Sequence, residues 1–281
     1  PQIDATNNWW GDDSGPTTPS NPNGKGQRIY GNILYDPWVG KKIKNDPVII
    51  VPGILGSEQK NGVWVIDPIF HTYDDLIDTL IANGYVQDQN LFTFPYNWRQ
   101  SNVLTAFQLH QKIDEVKAIC GCDKVDLVAH SMGGLVSRQY AQSNYFQNDI
   151  DQLIFLGTPH LGAPKDYLAW EGGNIGPERE DQLLQFILYR EGKKIGYNNL
   201  FDYIRNGPVA SVRELLPIYN YLRNKDTSLM REYSNNYPVN TFLDNLSNTS
   251  SSLFISDIKI TNIVGNTGVF STISALRVVT S

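Results

Sequence analysis

The segment that most constrains the fold is the run Val125-Asp-Leu-Val-Ala-His-Ser-Met-Gly-Gly134. An apolar stretch leads into Ser131, and the small residues Ala129 and Gly133 stand two positions before and two positions after it. A strand and a helix can cross closely where both positions are small, and a serine between them sits on a strained turn with its hydroxyl exposed. A serine in an ordinary loop is the alternative, but the Gly-Gly helix start favours the strained turn at Ser131.

The rest of the chain predicts an α/β fold. Strands are predicted over 47–51, 124–129, 153–157 and 258–264, and helices over 73–83, 100–119 and 133–145. Alternation of strands and helices favours a mostly parallel sheet with helices on both faces. Residues 165–250 interrupt this alternation with helical patterns at 181–190 and 211–224. They predict a helical cap, or lid, inserted into the sheet domain.

Composition excludes some classes of partner. The chain has 281 residues, a formal net charge of −6 and 41% hydrophobic residues, which is ordinary for a globular protein. Its mild acidity and the lack of a Lys/Arg block argue against nucleic acid as a partner. No apolar run approaches the ~20 residues that span a bilayer.

The two cysteines, Cys120 and Cys122, are separated only by Gly121. A disulfide at this spacing would close a very small ring, and two ligands do not make a zinc site. We therefore predict two unpaired side chains at the end of a helix, which say little about the compartment.

Five motifs in order carry a resemblance to a known family. They are 47–57 (PVIIVPGILGS), 94–99 (FPYNWR), 129–133 (AHSMG), 156–162 (LGTPHLG) and 213–217 (RELLP). Together they resemble the lecithin:cholesterol acyltransferase family of α/β-hydrolases, including bacterial lipase-like members, over about residues 45–268. The resemblance implies a serine hydrolase that acts on carboxylic esters, above all lipid esters, through an acyl-enzyme. Lipase, phospholipase and O-acyltransferase stay open, and no cofactor or metal is implied because acyl transfer needs only a triad and an oxyanion hole.

The resemblance also implies site residues. Ser131 corresponds to the nucleophile, and the backbone N–H groups of Met132 and Ile54 correspond to the oxyanion hole. His130 and His160 are interpreted as packing residues. In the motif 94–99, Trp98 is expected to pack in the core, and Asn97 or Ser101 to cap the next helix.

The remaining triad members are expected later in the chain, because α/β-hydrolases order them Ser, Asp or Glu, then His. After Val264 the sequence contains no Asp, Glu or His. We therefore expect the chain to be incomplete at its carboxyl end, before the catalytic acid and histidine. Residues 1–281 alone should then hydrolyse esters poorly or not at all.

Residues 1–40 differ from the rest. The run 7–26 is dense in Asn, Gly, Pro, Ser and Thr, and several aromatic residues nearby are too apolar for a solvated linker, the alternative reading. The segment resembles the last coil of a right-handed parallel β-helix of secreted and cell-surface bacterial proteins, through the phrases 5–11, 14–16 and 32–38. The resemblance implies that 1–40 ends a solenoid that extends upstream, and that 41–281 form the hydrolase domain.

The expected protein is therefore a secreted or surface-attached bacterial enzyme whose partner is an ester or lipid substrate, with membrane or lipid contact through the cap. Two alternatives stay open. One is a non-catalytic surface module on a hydrolase fold, with a β-helix that binds glycan or a neighbouring surface. The other is an amidase or protease on the same fold.

Overall fold

The computed structural model describes residues 2–6, 8–36, 38, 46–177, 179–235, 237–265 and 276–278. The strands are β1 (Ile3–Asp4), β2 (Pro16–Thr17), β3 (Gly26–Arg28), β4 (Ile33–Leu34), β5 (Val48–Val51), β6 (Ser57–Lys60), β7 (Val63–Ile66), β8 (Leu91–Thr93), β9 (Val125–His130), β10 (Ile150–Leu156), β11 (Leu222–Asn224), β12 (Lys259–Ile263) and β13 (Leu276–Val278). The helices are α1 (Asp74–Ala82), α2 (Asn102–Cys120), α3 (Met132–Ala141), α4 (Lys165–Gly172), α5 (Arg179–Lys194), α6 (Leu200–Asn206), α7 (Ala210–Glu214), α8 (Thr241–Asn248) and α9 (Ser251–Ile255). None of the helices in these ranges is long and apolar enough to cross a membrane.

The centre of the fold is a five-stranded sheet in the order β12-β10-β9-β5-β8, with every neighbouring pair parallel. This arrangement confirms the predicted α/β fold with a mostly parallel sheet. The loops that follow β5, β9 and β10 all leave the same edge of the sheet, because the three strands run in one direction. In such sheets the carboxyl ends of the strands are where ligands bind.

Both faces of the sheet are buried, as the β-branched run at β5 predicts. Ile49 and Val51 point into the larger core cluster, which includes residues of α2 and α3. Val48 and Ile50 point the other way, into a second cluster with Ile77 of α1. Alternate side chains of a strand face opposite sides, so one short strand joins both cores.

The chain between β10 and β12 forms a largely helical insertion of α4 to α9 and β11. The predicted helix at 181–190 lies within α5. The prediction of a helix over 211–224 is wrong beyond Glu214, where α7 ends. Pro217 follows closely and lacks the N–H that a helix interior requires. The end of the predicted range is instead β11, which pairs with β13.

The prediction of unpaired cysteines is wrong, because Cys120 and Cys122 form a disulfide. Helix α2 ends at Cys120, and Gly121 adopts a left-handed backbone with φ 62°. This turn brings the two cysteine Cα atoms to 5.2 Å, within the usual range for a disulfide. Glycine takes the left-handed conformation without a steric penalty, so the short spacing of the two cysteines does not prevent the bond.

The amino-terminal segment contains two short parallel pairs, β1 with β4 and β2 with β3. Parallel pairing within one short segment requires the chain to turn fully between the partners. The Trp38 indole closes on this segment by donating from Nε1 to the carbonyl of Asp13 at 3.0 Å. Assignment to the end of a β-helix stays a prediction, and its boundary at residues 40 and 41 lies outside the described residues.

Candidate active site

Ser131 occupies the turn between β9 and α3, with φ 51° and ψ −124°. A positive φ is uncommon for a residue with a side chain, and such strain is typical of functional turns. The Ser131 N–H donates to the carbonyl of Leu156 on the neighbouring strand β10 at 2.9 Å, which fixes the turn to the sheet. This is the backbone geometry that the sequence predicts at this position.

Glycines allow three segments to meet at this turn. A Cβ on Gly133 would lie 2.4 Å from the carbonyl oxygens of Val51 and Pro52. A Cβ on Gly53 would lie 2.8 Å from the Ser131 Cβ. The backbone of the loop after β5 therefore packs directly against the serine turn.

Tyr73, just before α1, ties this loop to the residue preceding the serine. Its hydroxyl accepts from the Gly53 N–H at 2.9 Å and lies 2.8 Å from His130 Nδ1. A hydrogen bond joins the hydroxyl to His130 Nδ1, and the tautomer of the imidazole decides which of the two atoms donates. Burial raises the pKa of Tyr73 to about 12 and lowers the pKa of His130, so both groups stay neutral near pH 7.

Tyr96 holds the same loop from the other side. Its buried hydroxyl donates to the carbonyl of Pro52 at 2.8 Å, and its N–H donates to Ser57 Oγ at 3.2 Å. The Gly56 N–H closes the loop on itself by donating to the Gly53 carbonyl at 3.1 Å. The loop at 52–56 is thus a fixed turn.

The two predicted oxyanion donors lie on either side of this contact. Ile54 is in the loop after β5, and Met132 is the first residue of α3. Within the described parts of the chain, neither N–H donates to a protein acceptor. For Met132 this follows from its position, because the first N–H groups of a helix lack intrahelical partners and lie at the positive end of the helix dipole. That both N–H groups converge on one point near Ser131 Oγ stays a prediction.

Two of the four histidines of the chain lie on elements that surround this turn. His130 bonds to Tyr73 as described. His160, in the loop after β10, accepts from Arg138 Nη1 at its Nδ1 (3.2 Å), so its Nε2 carries the proton and donates to Asn262 Oδ1 (3.0 Å). Its ring packs edge-on against Phe155 and burial lowers its pKa.

The other two histidines lie just before α1 and within α2. His71 pairs with Asp74 at 2.9 Å on the surface, just before α1. His110 of α2 stacks on Tyr140 of α3. Over the described ranges, which include all four histidines, no hydrogen bond joins a histidine to Ser131 Oγ.

Arg138 of α3 connects the serine helix to its surroundings. The side chain is buried, with Nη1 donating to His160 and Nη2 donating to the Leu246 carbonyl of α8 at 3.1 Å. Burial lowers the pKa of Arg138 to about 10, and the group stays charged at neutral pH. One guanidinium thus joins α3, the loop after β10 and the insertion.

Glu214, from the RELLP motif, caps α2. Its carboxylate accepts from Ser101 Oγ and from the Asn102 N–H, both at 2.6 Å, and burial raises its pKa. Ser101 Oγ in turn accepts from the Val103 N–H, which confirms Ser101 as a capping residue. Trp98 is fully buried, as expected, and both motifs have structural roles.

Two groups of side chains elsewhere have the spacing of metal ligands. The first group is His110, Asp114 and Asp149. The second is Asp46, Asp126 and Asp151, at the start of the central strands. Neither group includes a residue of the turn at Ser131 or of the loop at 52–56.

The parallel sheet, the strained serine at the end of a central strand and the glycine loop beside it define an α/β-hydrolase. Residues 64–264 match the lecithin:cholesterol acyltransferase family. The chain belongs to this family, which confirms the resemblance found in the sequence.

Individual relatives match only a part of the chain. Lecithin-cholesterol acyltransferase-like 4 of Arabidopsis thaliana is 30% identical over 146 residues, which cover 46% of this chain and 26% of that protein. Phospholipase A(1) LCAT3 of the same plant is 28% identical over 146 residues, covering 47% and 32%. The crystal structure of Bacillus licheniformis lipase BlEst2 in its mature form aligns with a TM-score of 0.37 and 21% identity, covering 60% and 58%. The chain thus spans about a third or less of the length of these two curated relatives.

Proposed function

We propose that the protein is a lipid-ester hydrolase or acyltransferase with Ser131 as its nucleophile. Family membership supports the lipid-ester class. The observation that carries the assignment of Ser131 is its backbone, with φ 51° and ψ −124° at the carboxyl end of a central parallel strand. Strain of this kind is retained where it exposes a reactive hydroxyl.

In the proposed reaction, Ser131 Oγ attacks the ester carbonyl carbon while a base removes its proton. The carbonyl oxygen gains negative charge and accepts hydrogen bonds from the N–H groups of Ile54 and Met132. The tetrahedral intermediate collapses, the alcohol leaves with the proton from the base, and an acyl-enzyme remains. Water or an acceptor alcohol then releases the acyl group by the same steps.

The general base is proposed to lie outside the four histidines of this chain. His130 and His160 are neutral and each is held by other partners, as described above. A histidine that already accepts at Nδ1 and donates at Nε2, as His160 does, has no free lone pair for the serine proton.

Contact with a lipid surface is proposed for the outer face of α5. Leu183 and Phe186 are 45% and 56% exposed there, and Tyr189 is also exposed. Arg190 and Lys193 lie over the rings of Phe186 and Tyr189. Exposed apolar groups flanked by cations suit an anionic membrane interface. The double variant Leu183→Ser/Phe186→Ser should lower co-sedimentation with vesicles containing phosphatidylserine, whereas Leu229→Ser, another exposed leucine, should leave it unchanged.

Secretion or attachment to the cell surface is proposed for the location. The disulfide between Cys120 and Cys122 supports it, because disulfides persist mainly in oxidising compartments. The paired short parallel strands in residues 2–36 support the end of a β-helix as the preceding domain.

A serine-directed fluorophosphonate tests the proposal in the whole protein. We expect covalent labelling of Ser131 and release of fatty acid from phosphatidylcholine vesicles, with both lost in Ser131→Ala. Ser143→Ala, just after α3, is the matched control and should keep both. Absence of labelling and turnover in the whole protein would favour the non-catalytic surface module. Faster cleavage of an amide than of the matching ester would favour the amidase.

A further inference from the structure

Three aspartates meet at the edge of the sheet opposite Ser131. Asp46, Asp126 and Asp151 each bring a carboxylate oxygen within 4.8 Å of the other two. They stand just before β5 and near the starts of β9 and β10, which are adjacent parallel strands. Asp126 and Ser131 are five positions apart along the strand, about 16 Å at 3.3 Å per residue. The cluster is therefore separate from the candidate active site.

Asp126 is the buried member of the cluster. Its side chain is only 6% exposed, and its Oδ2 accepts from Gln152 Nε2 at 2.9 Å. Its Oδ1 is buried and, within the described residues, has no hydrogen-bond partner. Buried carboxylate oxygens are nearly always paired, because their desolvation is costly. Asp126 thus brings to the cluster a buried carboxylate with one unpaired oxygen.

One ion pair to the cluster is formed within the residues that the structure describes. Lys259 Nζ lies 3.0 Å from Asp151 Oδ2 and offsets one of the three negative charges. Within the described part of the chain, neither Asp46 nor Asp126 forms an ion pair of its own.

We propose that Asp46, Asp126 and Asp151 bind a calcium ion. Calcium takes oxygen ligands at about 2.3–2.6 Å, so two oxygens on one ion lie up to about 5 Å apart, as the cluster allows. Asp46 is exposed and Asp151 half-buried, which leaves room for the water ligands that complete a shell of six to eight. The ion would supply a partner for Asp126 Oδ1.

The ion would have a structural role. Asp46 precedes Pro47, whose carbonyl accepts from the Asp126 N–H at 2.8 Å. A calcium ion held by Asp46, Asp126 and Asp151 would fasten the chain that enters β5 to the two neighbouring strands. We expect it to stabilise the fold without taking part in the reaction at Ser131.

Thermal unfolding of the whole protein tests the proposal. In about 10 mM calcium, roughly 100-fold above a Kd typical of extracellular sites, the Tm should rise by about 5 °C relative to EDTA. Asp126→Asn should lose this rise, although in EDTA it should be at least as stable as the wild type, because the repulsion is relieved. Asp123→Asn removes the same charge from an exposed residue nearby and should keep the full rise.

Two further variants separate calcium from Lys259 as the counter-ion. Asp46→Asn, at an exposed position, should lower calcium affinity at least tenfold by calorimetric titration without disturbing the core. Lys259→Met should raise calcium affinity severalfold, because the competing ammonium is gone. The proposal is overturned if the wild type shows no calcium-dependent rise, if Asp126→Asn keeps it, or if Lys259→Met is destabilised and calcium does not restore it.

Discussion

The Tyr73 hydroxyl joins two parts of the candidate site that are distant in sequence. It holds the loop after β5 through Gly53 and the residue before the serine through His130. The loop carries the Ile54 N–H, so its position relative to Ser131 depends on one phenol oxygen as well as on packing.

Tyr73→Phe should weaken both stability and turnover. It leaves the Gly53 N–H and His130 Nδ1 without their partner, which costs about 1–3 kcal/mol for buried groups. In the whole protein kcat should fall more than KM rises, because a misplaced oxyanion donor weakens the transition state selectively. Denaturant unfolding and steady-state kinetics measure the two effects. Tyr219→Phe, a half-buried tyrosine of the insertion, is the control, and an unchanged kcat for Tyr73→Phe would contradict the role of its hydroxyl.

The raised pKa of Asp126 predicts how the free energy of unfolding changes with pH. Its pKa is raised from 3.8 to about 6 by folding, so the free energy of unfolding falls as the pH rises from 3.8 to about 6, and this loss is recovered as the pH falls through the same range. In EDTA, Asp126→Asn should be more stable than the wild type at pH 7.5. The difference in unfolding free energy should shrink by about 1 kcal/mol at pH 5. If the difference in unfolding free energy between Asp126→Asn and the wild type is the same at both pH values, the pKa of Asp126 is not raised.

At the scale of elements, the site depends on how closely α3 crosses the end of β5. Gly133 has no room for a side chain, because a Cβ would meet two backbone oxygens at 2.4 Å. Backbone cannot move aside as a flexible side chain can. The crossing therefore places the turn at Ser131 against the loop at 52–56.

Gly133→Ala should destabilise the protein by about 3 kcal/mol or more, because α3 or β5 must shift. Gly172→Ala is the matched control, since nothing lies within 4 Å of its Cβ and alanine favours helix α4. Urea unfolding of both variants checks the comparison. Equal stability of the two would mean that the crossing is looser than described.

The central strands and the helices that cover them could be predicted from the sequence because each depends on local periodicity. Strand β9 and helix α1 begin and end within a residue or two of their predicted bounds. The structure of 211–224 could not be predicted, because its leucines suit either a helix or a loop followed by a strand. Pairing of β11 with β13 selects the strand. The disulfide could not be predicted from the spacing of the cysteines, because it depends on the left-handed backbone of Gly121.

At the scale of the whole molecule, none of the four histidines is hydrogen-bonded to the proposed nucleophile Ser131 within the residues that the structure describes. The residual activity of a serine hydrolase without its histidine comes from the oxyanion hole and from binding. The four histidines are engaged elsewhere or distant in sequence from the turn, as described above.

Residues 1–281 alone should therefore hydrolyse a short-chain nitrophenyl ester slowly. Added imidazole, which can act as a free base, should raise the rate, and Ser131→Ala should abolish this increase. Measurement of initial rates against imidazole concentration, corrected for the uncatalysed reaction, decides the point. A high rate without imidazole that is lost in His160→Ala or His130→Ala would identify the base within this chain.

The turn at Ser131 could be predicted because its signal lies in ten consecutive residues. Tyr73, Arg138 and the aspartate cluster could not, because each acts through partners that lie far away in sequence. The helical spacing of a tyrosine predicts only that its side chain packs in the core. Only the assembled fold shows that its hydroxyl faces the loop and not the solvent.

Arg138 has a consequence for motion. Its guanidinium donates both to the loop after β10 and to α8. Movement of the insertion away from the sheet would therefore break hydrogen bonds of a buried side chain. The same hydrogen bonds of Arg138 are lost when the insertion opens and when α3 is displaced, so the free energies of the two movements are coupled. By thermodynamic linkage, a substrate that favours the observed position of the serine turn would also favour the closed insertion, and any ligand that favours an open insertion would disfavour that position of the turn by the same coupling free energy.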